Sequence, residues 1–183
     1  MGKYVALLRG INVGTAKGIA MADLRAVFEE LGYDDIETVL RSGNVVFSSP
    51  RKLSAGAAVQ IEDALLLRTG VHSSVLLFDA DSFRAIAEAN PLVYVSEDDS
   101  RLVVTFLGRP LEEDEWAAAD ISRPGESMIA PEQLAIGRTA LYQWCPDGIL
   151  QSKVPVRFWR QFSHGLTQRN WRTVTKLLAR LEA

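Results

Sequence analysis

Short apolar runs alternate with amphipathic stretches through the first part of the chain. The runs have the length of strands, and the stretches repeat apolar residues at helical spacing. The predicted elements are a strand over 4–9, a helix over 20–31, strands over 36–40 and 44–48, a helix over 54–68 and a strand over 71–78. This β-α-β-β-α-β order is that of the ferredoxin-like arrangement.

The second part of the chain also mixes strands with helices, without an exact sequence repeat. The pattern predicts a helix over 80–89, strands over 101–107, 127–130, 133–137 and 140–144, a helix over 111–119, and amphipathic stretches over 152–162 and 171–181 joined by a connection. We therefore predict an α+β protein of two ferredoxin-like subdomains packed together, with antiparallel or mixed sheets. The predicted boundaries are 1–79 for the first subdomain, 80–100 for a connecting helix and loop, and 101–183 for the second with its C-terminal helices.

Composition places the chain among ordinary globular proteins. It has 183 residues, of which 48% are hydrophobic and 23% charged. No apolar run approaches the roughly 18 residues of a membrane span, and residues 1–10 do not resemble a secretory signal, so we expect a cytoplasmic protein without a membrane partner. With Cys145 as the only cysteine and His72 and His164 as the only histidines, we expect neither a disulfide framework nor a metal site.

Charge is unevenly distributed along the chain. Residues 151–183 carry seven basic residues and one acid, a net charge of +6, which leaves −9 for the rest of a chain whose total is −3. A basic segment next to an acidic body is typical of two situations: attraction of an anionic partner, or docking against the protein's own acidic surface. The sequence favours the second, because it needs no partner.

The first candidate site lies in two loops. The segment RGINVG (9–14) follows the first predicted strand, and RSGN (41–44) joins the second and third. In a ferredoxin-like sheet these loops meet at one edge, because the second strand runs parallel to the first and the third lies beside it. That edge would gather two arginines, polar side chains and glycine backbone, which suit a carboxylate or phosphate. The candidate binding residues there are Arg9, Gly10, Asn12, Gly14, Arg41, Ser42, Gly43 and Asn44.

Each of these features also has a purely structural interpretation. The glycines fit neither the P-loop nor the dinucleotide-binding pattern, and they can simply supply unusual backbone angles. Ser-Gly-Asn is a hairpin turn signal, and Asn12 is able to cap backbone groups. Cys145, before a proline at a strand end, is expected to be inert packing rather than a nucleophile.

Near the C-terminus, TQRNW (167–171) adds two more candidates. Asn170 is predicted to cap a final helix that begins at Trp171, which leaves Arg169 for an ion pair or a ligand. We include Arg169 and Asn170 in the candidate site. PDGILQSK (146–153) is interpreted as a turn followed by a cap at Ser152.

Together, YVALLRGINVG, RSGNVVFSS, PDGILQSK and TQRNWRTVTKLL resemble the motifs of the bacterial domain-of-unknown-function 1697 family. The resemblance runs from Tyr4 to the final helix and implies two ferredoxin-like α+β subdomains. It implies no activity, since the family has no established biochemical function. The family motifs fall here on residues 9–14, 42–44 and 169–171, with mild departures at Thr15 and Gln168.

Three functions compete at this level. The first hypothesis is binding of a small anionic ligand, a nucleotide or a carboxylated or phosphorylated metabolite, with Arg9 and Arg169 contacting its charge. Asn12, Ser42 and Asn44 would orient that ligand. The alternatives are single-stranded nucleic-acid binding through the sheet and the basic C-terminal region, and a non-catalytic interaction module that uses Trp116 or Trp159. The sequence assigns no catalytic residue, reaction type, cofactor or oligomeric state, and whether the protein is an enzyme stays open.

Overall fold

The computed structural model describes residues 1–12, 18–162 and 165–183. The first part of the chain forms β1 (Gly2–Leu8), α1 (Met21–Glu30), β2 (Asp34–Thr38), β3 (Asn44–Ser49), α2 (Ala57–Thr69), β4 (Val75–Asp79) and α3 (Ala80–Glu88). The second part forms β5 (Leu102–Leu107), α4 (Glu113–Ile121), α5 (Glu126–Ile129), β6 (Gln133–Ile136), β7 (Ala140–Trp144), a 3-10 turn (Ile149–Gln151), α6 (Val156–Trp159), β8 (Leu166–Asn170) and α7 (Trp171–Glu182).

The strands of the described residues form two four-stranded sheets of the same topology. Their orders are β2-β3-β1-β4 and β6-β7-β5-β8, and every neighbouring pair is antiparallel. In each sheet the first and third strands in sequence lie at the centre, and the second and fourth form the edges. This is the ferredoxin-like order, and the predicted α+β fold class is confirmed.

The chain divides into two compact units. One consists of Met1–Arg84 together with Lys176–Ala183, and the other of Ala85–Thr175. The first unit is thus discontinuous in sequence, since its last residues come from the end of α7. Division into 1–79, 80–100 and 101–183 as folding units remains a prediction.

Both faces of the first unit's sheet are covered, and the core formed with α1 and α2 lies on one of them. Val5, Ala6, Leu7 and Leu8 follow one another along β1, and all four are 0% exposed. Because successive side chains of a strand point to opposite faces, a run of this kind requires that both faces be covered. Phe47 on β3 is also 0% exposed and contacts Phe28 of α1 edge to face at 5.0 Å between ring centroids.

Two predicted segments in the second unit differ from the structure. Residues 127–130 were expected to form a strand, but Glu126–Ile129 is a single helical turn, α5. Ile129 is the one buried residue of this turn, whereas an alternating strand would bury every second residue. Conversely, the expected connection over 163–170 contains a strand, β8, whose polar sequence LTQRN hides its alternation of more and less buried residues.

The amphipathic stretch at 152–162 forms much less helix than its pattern indicates. Only Val156–Trp159 is helical, directly after Pro155. Proline disfavours helical geometry in the residue before it, which prevents the helix from starting earlier.

Candidate functional site

Three segments meet at one edge of the first sheet, where β1 ends. The Leu8 amide donates a hydrogen bond to the Gly43 carbonyl at 2.8 Å, so the end of β1 is attached to the β2–β3 turn. On the other side, the Arg9 amide donates to the Ser74 carbonyl at 2.9 Å, and the Ser73 hydroxyl donates to the Arg9 carbonyl at 2.9 Å. We call residues 9–12, 41–44 and 72–74 at this edge, some exposed and some buried, the candidate rim.

Asn12 holds the first loop to the second through its side-chain amide. Its Nδ2 donates to the Arg41 carbonyl at 2.7 Å and to the Ile19 carbonyl at 3.1 Å, and its Oδ1 accepts from the Ile19 amide at 2.7 Å. The residue itself has a left-handed backbone, φ +55°, which asparagine tolerates better than most residues. The loops predicted to converge therefore do so, and Asn12 is one of the residues that fix them.

Asn44 holds the second loop in its conformation through hydrogen bonds to other residues of that loop. It is 0% exposed, and its Nδ2 donates to the Val39 carbonyl at 2.8 Å and to the Ser42 hydroxyl at 3.0 Å. The Val39 amide donates in turn to the Asn44 carbonyl at 2.8 Å. These bonds enclose a tight turn in which both Leu40 (φ +60°) and Gly43 (φ +77°) are left-handed. The side-chain amides of both asparagines thus bond to protein groups of the two loops, mainly backbone carbonyls.

The two arginines of the candidate rim have no comparable attachment. Arg9 and Arg41 are exposed, and neither side chain makes an ion pair or a hydrogen bond with another residue of the described ranges. Gly10, with φ +67°, lies in the open beside Arg9. Gly14, the remaining candidate of the first loop, lies outside the described residues.

The segment before β4 was missed by sequence reasoning. Ser73 is buried and binds the backbone at Arg9, and His72 is exposed next to it. The signal for it was the topology itself, because the fourth strand of a ferredoxin-like sheet lies beside the first and begins where the first ends.

Arg169 and Asn170 belong to the second unit, on β8. Arg169 is 8% exposed, and its Nη1 donates to the Thr167 hydroxyl at 2.9 Å and to the Gln168 carbonyl at 2.7 Å. Burial lowers the pKa of its guanidinium to about 10, so it still carries its charge at neutral pH. Asn170 caps α7: its Oδ1 accepts from the Thr173 amide at 3.0 Å and from the Thr173 hydroxyl at 2.7 Å.

A second polar cluster, also missed from the sequence, surrounds a buried carboxylate in the second unit. Glu132 is 6% exposed and accepts hydrogen bonds from the side chain of Gln143, from the Ser152 hydroxyl at 2.7 Å and from the Lys153 amide at 2.7 Å. These bonds attach the end of the PDGILQSK segment to the residue before β6. Nothing in the spacing along the chain marks Glu132 as their acceptor.

Cys145 lies beside this carboxylate, and its thiol donates a hydrogen bond to the Glu132 Oε1 at 3.7 Å. Burial, reinforced by the charge of Glu132, raises the pKa of its thiol to about 12. A thiol with this pKa is almost entirely protonated at neutral pH and is a poor nucleophile.

The residues on which the two alternative functions depend are mostly buried or held in ion pairs. Phe47, the aromatic residue that would stack a base, is 0% exposed. Trp116 and Trp159 are partly buried against the core of the second unit. Within the basic C-terminal segment, Arg172 pairs with Asp98 at 3.5 Å and Arg180 with Glu37 at 3.0 Å.

The described residues lack two kinds of feature. They contain no group of three or more histidine, cysteine, aspartate or glutamate side chains placed to hold a metal ion. None of their helices is long and apolar enough to cross a membrane.

Fold and site together define an α+β protein of two ferredoxin-like units with a polar, arginine-bearing loop edge on the first. The family described as "Protein of unknown function (DUF1697)" matches residues 1–142, and the chain belongs to that family. Among solved structures it is similar to the conserved bacterial protein SP0830 from Streptococcus pneumoniae. The two share 24% sequence identity with a TM-score of 0.70, over 98% of each chain, a likeness of fold. A comparison with curated proteins finds no match.

Proposed function

We propose that the protein binds a small anionic molecule, a nucleotide or a carboxylated or phosphorylated metabolite, at the candidate rim. The observation that carries this proposal is the contrast at that edge. The side-chain amides of its asparagines bond to backbone and to the Ser42 hydroxyl, whereas its arginines, Arg9 and Arg41, are exposed and have no acceptor within the described residues. Guanidinium groups that no protein carboxylate neutralises are suited to binding carboxylates and phosphates.

Many other arginines in the protein are neutralised locally. Arg68 pairs with Asp23 and Glu30 at 3.1 and 2.6 Å, and Arg109 pairs with Glu115 at 2.7 Å. Arg25 and Arg157 likewise have no ion pair within the described residues, so what sets Arg9 and Arg41 apart is their place on two loops that the Asn12–Arg41 hydrogen bond joins.

The residues of the site divide into two roles. Arg9 and Arg41 bind the charge of the ligand, and Asn12 and Asn44 keep the loops in the conformation that presents them. Participation of Arg169 remains a prediction, and its burial makes it a weaker candidate than the two exposed arginines.

A titration with defined anions tests the proposal. Inorganic phosphate, pyrophosphate, nucleoside monophosphates and dicarboxylates are added at low ionic strength, and binding is followed by calorimetry and by amide chemical shifts of the full chain. Loss of one charge-assisted contact weakens binding by about tenfold or more, so Arg9→Ala and Arg41→Ala should each show that loss for the anion that binds.

The matched control is Arg25→Ala, which removes an exposed arginine of α1 that likewise has no partner in the described ranges. We expect it to bind as the wild type does. All three variants should unfold at the wild-type temperature without ligand. If no anion of the panel binds the wild type, or if Arg25→Ala weakens binding as much as Arg41→Ala, the proposal is wrong.

A further inference from the structure

A cavity of about 360 Å³ lies in the first unit, next to the β2–β3 turn. It is lined by the end of β2 and the residues after it, together with one side of α7: Glu37, Thr38, Val39, Leu40, Lys176, Ala179 and Arg180. Two of the lining residues, Val39 and Leu40, follow β2 and directly precede Arg41 of the candidate rim. The cavity and the rim therefore share one turn of the chain.

The charged side chains of this cavity have a net positive balance. Glu37 and Arg180 pair through the Arg180 Nε at 3.0 Å, so the one carboxylate of the cavity is already engaged by a cation. Lys176 is exposed and makes no ion pair or hydrogen bond within the same ranges. Two cations and one carboxylate thus face the cavity, and its charge complements an anion.

Leu40 gives the cavity an apolar surface, and its backbone has an unusual conformation. The residue is 47% exposed and has φ +60°, a conformation that costs leucine about 1 kcal/mol or more and that glycine or asparagine would adopt readily. The hydrogen bonds of Asn44 to Val39 hold this conformation in place. Strained backbone that exposes a large apolar side chain at a cavity is typical of binding sites.

We infer that this cavity binds the apolar body of the anionic ligand, with Leu40 contacting that body and Lys176 contacting its charge. The inference rests on the proposed function, because the ligand is the one whose acidic group is attracted to Arg9 and Arg41. It narrows the ligand class: the anion is a phosphate monoester or a carboxylic acid with an aliphatic or aromatic part, rather than a simple inorganic ion.

Methyl phosphate and hexyl phosphate form a matched pair of probes, since they carry the same charged group. Each is titrated into the full-length protein at low ionic strength, and dissociation constants come from amide chemical shifts. Burying part of a hexyl chain predicts that wild type binds hexyl phosphate about tenfold more tightly than methyl phosphate. The additional shifts should fall on residues 37–41 and 176–180.

Three variants locate the effect. Leu40→Asn keeps a residue that accepts the left-handed backbone but removes the apolar surface, and it should bring the ratio of the two constants close to one. Lys176→Ala should weaken hexyl phosphate by about fivefold, and Lys176→Arg should restore binding to within about twofold. Arg25→Ala on α1 should leave both constants unchanged.

The outcomes separate this inference from the proposed function. If both probes bind equally, and the Leu40 and Lys176 variants change nothing while Arg41→Ala abolishes binding, the cavity has no role and the rim alone is the site. If neither probe nor any other anion binds, the proposed function fails and the inference fails with it. A hexyl-specific effect on residues of the second unit would also overturn the assignment to this cavity.

Discussion

At Gly43 the second loop of the candidate rim packs directly against Ile11 of the first loop and Leu8 of β1. A Cβ at this position would lie 2.8 Å from the Leu8 Cβ and 2.8 Å from side-chain atoms of Ile11, and the backbone has φ +77°. Ile11 is 2% exposed and cannot move away without opening the core. Only glycine satisfies both the contact distance and the backbone angle.

Substitution of this glycine separates the two requirements. Gly43→Ala should lower the free energy of unfolding by about 2 to 4 kcal/mol, because left-handed strain and overpacking add. Gly10→Ala has a similar backbone angle, φ +67°, but no atom within 4 Å of its Cβ, and it should cost about 1 kcal/mol. Urea unfolding of the two variants measures the difference; equal losses would mean that packing at Gly43 contributes nothing.

At the scale of elements, α7 illustrates how a helix start is encoded. Asn170 ends the edge strand β8 and caps the helix that begins at Trp171, with its Oδ1 bonded to the Thr173 amide. Val174, Leu177 and Leu181 then form the buried stripe at helical spacing. The sequence predicts the cap, which is confirmed, and a stripe that also includes Leu178, which is only partly buried.

The cap has a measurable contribution. Asn170→Ala should lower the free energy of unfolding by about 1 kcal/mol, whereas Asn170→Asp, which keeps an acceptor for the Thr173 amide, should stay within about 0.5 kcal/mol of the wild type. Chemical denaturation provides the measurement. If the aspartate variant loses as much as the alanine variant, the residue acts through something other than capping.

Periodicity identified the first sheet almost completely, because β1, β3 and the helices that cover them carry long apolar patterns. It failed in two places: β8 is polar yet extended, and α5, half polar and half apolar, is helical over a single turn. For the candidate rim, strand order was enough to bring residues 9–12 next to 41–44. Bonding of Asn12 to backbone was one interpretation of the sequence, but its particular partners, at Ile19 and Arg41, depend on backbone angles that no pattern reports.

At the scale of the whole molecule, the first unit depends on the far end of the chain. Lys176–Ala183 belongs to it, and within it the Lys3 Nζ donates to the Leu181 carbonyl at 3.2 Å and Arg180 pairs with Glu37. Leu177 is 0% exposed and Leu181 is 6% exposed. This short segment therefore supplies both core side chains and polar contacts.

A chain that stops at Thr175 tests this dependence. Removal of two buried leucines should cost on the order of 4 kcal/mol or more. Hydrogen exchange should show the loss of protection mainly in β1 to β4, with β5 to β8 less affected. Equal loss across both sheets, or no loss, would contradict a specific contribution to the first unit.

This discontinuity also has a consequence for biosynthesis. A ribosome releases residues in order from the N-terminus, so Met1–Arg84 emerges well before the residues that complete its unit. Ala85–Thr175 ends directly before Lys176, so its last strand and the segment that completes the first unit emerge almost together. We therefore expect the N-terminal part of the newborn chain to stay accessible to chaperones until residues 176–183 have emerged, and the cavity lined by Lys176 and Arg180 to form only then.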